Sequence, residues 1–167
     1  MSYPNIIYGK FGQEKVAQST KISSLPLGHL MILSDNSIYA HARASTAAAM
    51  TATYVGQCGA VPADTMLVKS LVLAATVAVG DRTVQIVTGG TTAVGTNEYE
   101  DGYLLVPAGT SSVGGGRRWV IATNNSAASG SATCTLTLKE PVDVALAAGT
   151  VVVGLRTNRF ASVIVTS

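Results

Sequence analysis

The chain has 167 residues, of which 47% are hydrophobic and only 12% charged, and 11 Lys plus Arg against 9 Asp plus Glu leave a net charge of +2. Such a length suits one domain, or one domain with an arm, and high hydrophobicity at low net charge excludes a wholly disordered chain. An excess of two positive charges also excludes a general nucleic-acid binder, which carries a basic stripe.

The longest uncharged runs, Ala44 to Ala63 and Trp119 to Leu138, are interrupted by Thr, Ser, Gly and Asn. Neither reads as a membrane span, and no membrane partner is expected. The first fifteen residues lack the basic and long apolar stretches of a leader peptide. A soluble protein this poor in charge is expected to bury part of its surface against partners.

Residues 1–27 mix Gly, Ser, Gln and Lys with scattered apolar residues (Tyr3, Ile6, Ile7, Tyr8, Phe11, Val16, Ile22, Leu25) and show no sustained period. Pro4 and Pro26 break regular structure. This segment reads as an extended arm that cannot cover its own aromatic residues. Residues 28–167 read as one β-rich body. Within it, His29–Leu33 and Ile38–Arg43 flank Ser34-Asp35-Asn36-Ser37, which predicts a β-hairpin. Ser45 followed by an Ala-rich run predicts a short helix over about 45–55, ending near Gly56.

From residue 63 onward the pattern is β. Met66–Val79 is apolar and β-branched, and Gly80-Asp81 marks a turn before the alternating Arg82–Val87. Asp101-Gly102 is a strong turn dipeptide ahead of Tyr103–Val106. Arg117–Thr123 centres on Trp119 and Ile121. In Ala132–Leu138, Cys134, Leu136 and Leu138 face one way and Thr133, Thr135 and Thr137 the other. Val142–Leu146, Thr150–Leu155 and Ser162–Val165 complete about nine strands. Turn signals between them indicate an all-β fold: an antiparallel sandwich or small barrel, jelly-roll-like in one form, with one short helix and an N-terminal arm.

Candidate chemistry is sparse. His29 and His41 are the only histidines, and no G-x-S-x-G elbow anchors a triad with them; His41 reads better as a hydrogen-bonded strand residue. Gly109–Gly116 has the glycine spacing of a phosphate loop but lacks the Lys-Ser/Thr that must follow. Glu98, Glu100 and Asp101 cluster as a solvated or interface turn and match no calcium loop. Arg117-Arg118-Trp119 suits stacking on sugars or nucleic acids and suits core packing as well. Carbohydrate binding is therefore an alternative reading of these residues. Cys58 and Cys134 show no metal-ligand spacing, and Cys134 reads as a core thiol. No metal, cofactor or enzymatic activity is expected.

The run from Tyr8-Gly9-Lys10-Phe11-Gly12-Gln13-Glu14-Lys15-Val16 to Ser19-Thr20, then Leu25-Pro26-Leu27-Gly28, resembles the N-terminus of tailed-bacteriophage capsid decoration (cement) proteins. Tyr99–Leu104, Gly130–Thr133, Leu136–Leu138, Pro141-Val142, Val144–Leu146 and Val163–Val165 are similar as well. The resemblance covers the arm and the C-terminal half, leaves residues 56–97 uncovered, and rests on structural rather than catalytic motifs. It implies a virion protein made in the host cytoplasm and carried on the capsid exterior. There it would act as a homo-oligomer that bridges neighbouring major capsid protein subunits; the alternative is a carbohydrate-binding or host-adhesion module of a phage fibre. The arm would supply the interface: Tyr8, Phe11 and Val16 by burial, and Lys10, Lys15 and Lys21 by pairing with capsid carboxylates.

Overall fold

A computed structural model describes residues 6–12, 25–44, 55–58, 70–91, 93–108, 113–161 and 163–166. The chain divides into two compact units, residues 61–158 and residues 1–60 with 159–167.

The 61–158 unit is a barrel. Its strands are β5 (Leu71–Leu73), β6 (Thr83–Val87), β7 (Tyr103–Leu105), β8 (Arg118–Asn124), β9 (Thr133–Leu138) and β10 (Val152–Arg156). They close in the order β10-β5-β6-β9-β8-β7, with every neighbouring pair antiparallel. Of the expected sandwich or barrel, the barrel is what forms. Closure removes the open edges that a flat sheet would expose.

Alternation dictates what fills it. Val84 and Ile86 from β6, Cys134, Leu136 and Leu138 from β9, and Trp119 and Ile121 from β8 are buried. The intervening Thr83, Gln85, Thr133 and Thr137 are exposed. The outer face is thus held in register by Thr rather than by charge, with Thr83 opposite Thr137 and Thr137 opposite Thr123. The Val142–Leu146 segment does not form a strand. Val142 and Leu146 enter the core from a loop, and Leu146 makes a single antiparallel bridge to Val77.

β8 carries an irregularity between Ile121 and Thr123, where Ala122 has no partner on β9. The extra residue shifts the alternation, so that Asn124 turns inward with Leu136. There Asn124 is almost fully used. Its Oδ1 accepts from Tyr99 N–H at 2.9 Å, and its Nδ2 donates to the carbonyls of Gly95 at 2.8 Å and Asn125 at 2.9 Å. One side chain thus ties the 95–101 turn to the barrel wall.

The other unit holds two small sheets. β1 (Ile6–Tyr8), β2 (Leu30–Ile32) and β3 (Ile38–Ala40) form one, in the order β1-β2-β3. The β2–β3 hairpin appears where the sequence placed it. Asn36 takes φ 65°, and Asp35 Oδ1 accepts from Ser37 N–H at 3.0 Å. β1 pairs with β2 in parallel, so Ile6–Tyr8 is not irregular as the sequence suggested but is an edge strand. β4 (Val55–Cys58) and β11 (Val163–Thr166) form the second sheet, antiparallel. The helix expected over 45–55 falls on 45–54, outside the described residues. Val55 and Gly56 belong to β4 instead.

Candidate functional site

The described site residues gather on the three-stranded sheet and the turn after it. The register aligns Ile6 with Leu30 and Ala40, and Tyr8 with Ile32 and Ile38, so these six share one face. Ile7, Met31 and Tyr39 occupy the other. All nine strand residues are uncharged and none is buried. Tyr8 is 83% exposed, Ile38 65%, and Phe11, just past β1, 66%. An unbroken apolar strand is the pattern of a sheet covered on both faces. Here that pattern occurs in a sheet none of whose nine strand residues is buried.

Of the arm residues expected at an interface, Tyr8, Lys10 and Phe11 are placed, and all three are exposed. Lys15, Val16 and Lys21 lie outside the described residues. Sequence reasoning missed Leu30 and Ile38 as part of the same surface as Tyr8. The signal was present in Leu30-Met31-Ile32 and Ile38-Tyr39-Ala40, which do not alternate as a half-solvated hairpin would.

The remaining candidates resolve into structure. Asp101 is not a solvated acid. It is 4% exposed, takes φ 63° and pairs with Lys139 Nζ, while its carbonyl accepts from Asn158 Nδ2 at 3.1 Å. Glu98 Oε2 accepts from Gly95 N–H at 2.6 Å and so braces its own turn. Among the described residues no group of His, Cys, Asp and Glu could hold a metal ion.

Trp119 is 6% exposed, within the core, and offers no stacking platform. Arg117 pairs with Asp143, and Arg118 lies 5.2 Å over the Tyr103 ring. His41 continues the β2–β3 ladder through its N–H to His29 O at 2.8 Å, and its ring Nδ1 lies 3.3 Å from Pro26 O. Cys134 is a free, fully buried thiol. Burial, with the nearby Glu98 charge second, pushes it above the ordinary thiol range.

No protein-family model, curated protein or solved structure matches the chain.

Proposed function

We propose that this chain decorates the outside of a bacteriophage capsid as a homo-oligomer and clamps neighbouring major-capsid subunits by adhesion rather than chemistry. The observation that carries this reading is the exposure of Tyr8 and Phe11, 83% and 66%, beside a sheet with no buried residue. Burying one such side chain against a partner contributes about 1.5–3 kcal/mol. Lys10, exposed between them, adds a positive charge for a capsid carboxylate. Lys15, Val16 and Lys21, outside the described residues, are further capsid contacts in this reading. Repetition over many copies turns modest single-site affinity into a stable coat.

The test is co-sedimentation with phage heads stripped of decoration. A Tyr8→Ser/Phe11→Ser double variant should bind roughly 100-fold more weakly. Val113→Ser, at a 42% exposed apolar residue of the barrel unit, should bind normally. A double variant that coats heads like the wild type would sink the reading.

A further inference from the structure

We propose that β1 is a homophilic edge. Two copies of this chain join antiparallel along Ile6–Tyr8 about a two-fold axis at Ile7, fusing their β1-β2-β3 sheets into one. The inference goes beyond the capsid reading and does not depend on it.

The edge has the groups to do this. β1 ends its sheet, and among the described residues no strand pairs with its outer side. Gly9 N–H donates to Ile32 O at 2.9 Å, so position 9 directs its peptide groups toward β2. By the two-residue period Ile7 does the same, and Ile6 and Tyr8 direct theirs outward. In an antiparallel pair centred on Ile7, Ile6 of one copy faces Tyr8 of the other, twice. Each of those pairs exchanges both of its N–H···O bonds. Ile7 then faces its own counterpart in a non-hydrogen-bonded pair, with Cα atoms about 4.5 Å apart.

The side chains complement themselves in the same register. On one face Ile6 covers Tyr8, the most exposed large apolar residue of the described chain, in a β-branched–aromatic pair of the kind that stabilises sheets. On the other face Ile7 meets Ile7.

Other occupants fit less well. The edge has no charge, no Pro and no bulge, so it lacks the features that keep exposed strands apart. Nucleic acid or an acidic peptide would find no counter-charge on it. Lipid would leave the outward peptide groups unsatisfied. The β3 side differs, because just past Ala40 the N–H of Arg43 already donates to Phe160 O at 2.8 Å. Three residues a side bury far less than the roughly 1,600 Å² of a standard stable interface. The contact is therefore weak in dilute solution and forms where copies are concentrated.

Register-specific crosslinking tests this in the full chain carrying Cys58→Ser, in which the remaining native thiol, Cys134, is fully buried. Under mild oxidation Ile7→Cys should give a disulfide dimer about tenfold faster than Ile6→Cys, because only the former sits opposite itself at disulfide distance. An Ile6→Cys/Tyr8→Cys double variant should crosslink as fast as Ile7→Cys. Equal rates for Ile6→Cys and Ile7→Cys, or no dimer from either, overturn the proposal. Should Ile7→Cys fail to fold, sedimentation of the wild type against Ile7→Lys decides. Association that grows with concentration and vanishes in Ile7→Lys supports the edge; a wild type that never associates refutes it. A chain that fails here yet still coats phage heads leaves the capsid reading intact.

Discussion

Strand β9 and the β1-β2-β3 sheet show two ways of using apolar residues. In β9, Cys134, Leu136 and Leu138 are buried while Thr133 and Thr137 stand in solvent. The barrel made from such strands encloses its own core and closes its own edges. In the small sheet every strand position is apolar or aromatic, and none is buried. A two-residue alternation describes a strand that its own chain can satisfy. A continuous apolar run describes one that needs cover on both sides, and here none of the nine strand residues is buried.

If that contrast is right, equal truncations should behave very differently in the two regions. Leu136→Ala removes a fully buried side chain from the barrel and should destabilise it by about 3 kcal/mol. Gly102→Ala should come next. An added Cβ would lie 2.3 Å from Arg156 O and 2.9 Å from Tyr99 O, both backbone atoms that cannot swing away. A loss of about 3 kcal/mol is expected from that overlap. Asn124→Ala should cost about 2 kcal/mol, since it takes the Oδ1 acceptor away from the buried Tyr99 N–H and unties the turn from the barrel wall. Urea unfolding followed at Trp119 reads all three. Ile38→Ala, 65% exposed in the small sheet, should shift stability by no more than about 0.5 kcal/mol. A loss there as large as that of Leu136→Ala would mean the sheet is covered within the chain, and would break the comparison.

The smallest effect concerns pH. The Ser37 backbone N–H, with the Ser37 hydroxyl second, holds the Asp35 carboxyl below its ordinary value. A lowered folded-state pKa favours the folded hairpin above the unfolded-state value, and that contribution is lost as pH falls through the folded-state value. Hairpin amide protection, taken relative to intrinsic exchange at each pH, should therefore fall on acidification, and Asp35→Asn should remove that loss.

Much of the barrel was legible because alternation is local. The inward set of β9 and the turns at Gly80-Asp81 and Asp101-Gly102 follow from neighbouring residues alone. The β2–β3 hairpin was legible for the same reason, through its Asp-Asn turn. The role of Asp101 was not. Glu98, Glu100 and Asp101 look alike in sequence, yet Asp101 is buried against Lys139, 38 residues away, while Glu98 braces its own turn. The inward turn of Asn124 depends on one unpaired residue in β8, which no spacing announces. The candidate surface was half legible: Tyr8, Lys10 and Phe11 stood out as apolar and basic arm residues, but their joining with Leu30 and Ile38 did not.

By itself the sequence determined the all-β class, the inward and outward faces of the barrel strands, and an apolar, charge-poor composition with more hydrophobic surface than one small core requires. These follow from period and composition, which belong to each segment separately. Tertiary structure alone decided that the strands close into a barrel rather than stack as a sandwich. It also decided that residues 1–60 group with 159–167, and that Ile6–Tyr8 lies in parallel beside Leu30–Ile32, its other edge unpaired among the described strands. Those are choices of partner between distant segments. Period fixes which face of a strand is apolar, but not which strand, or which molecule, comes to cover it.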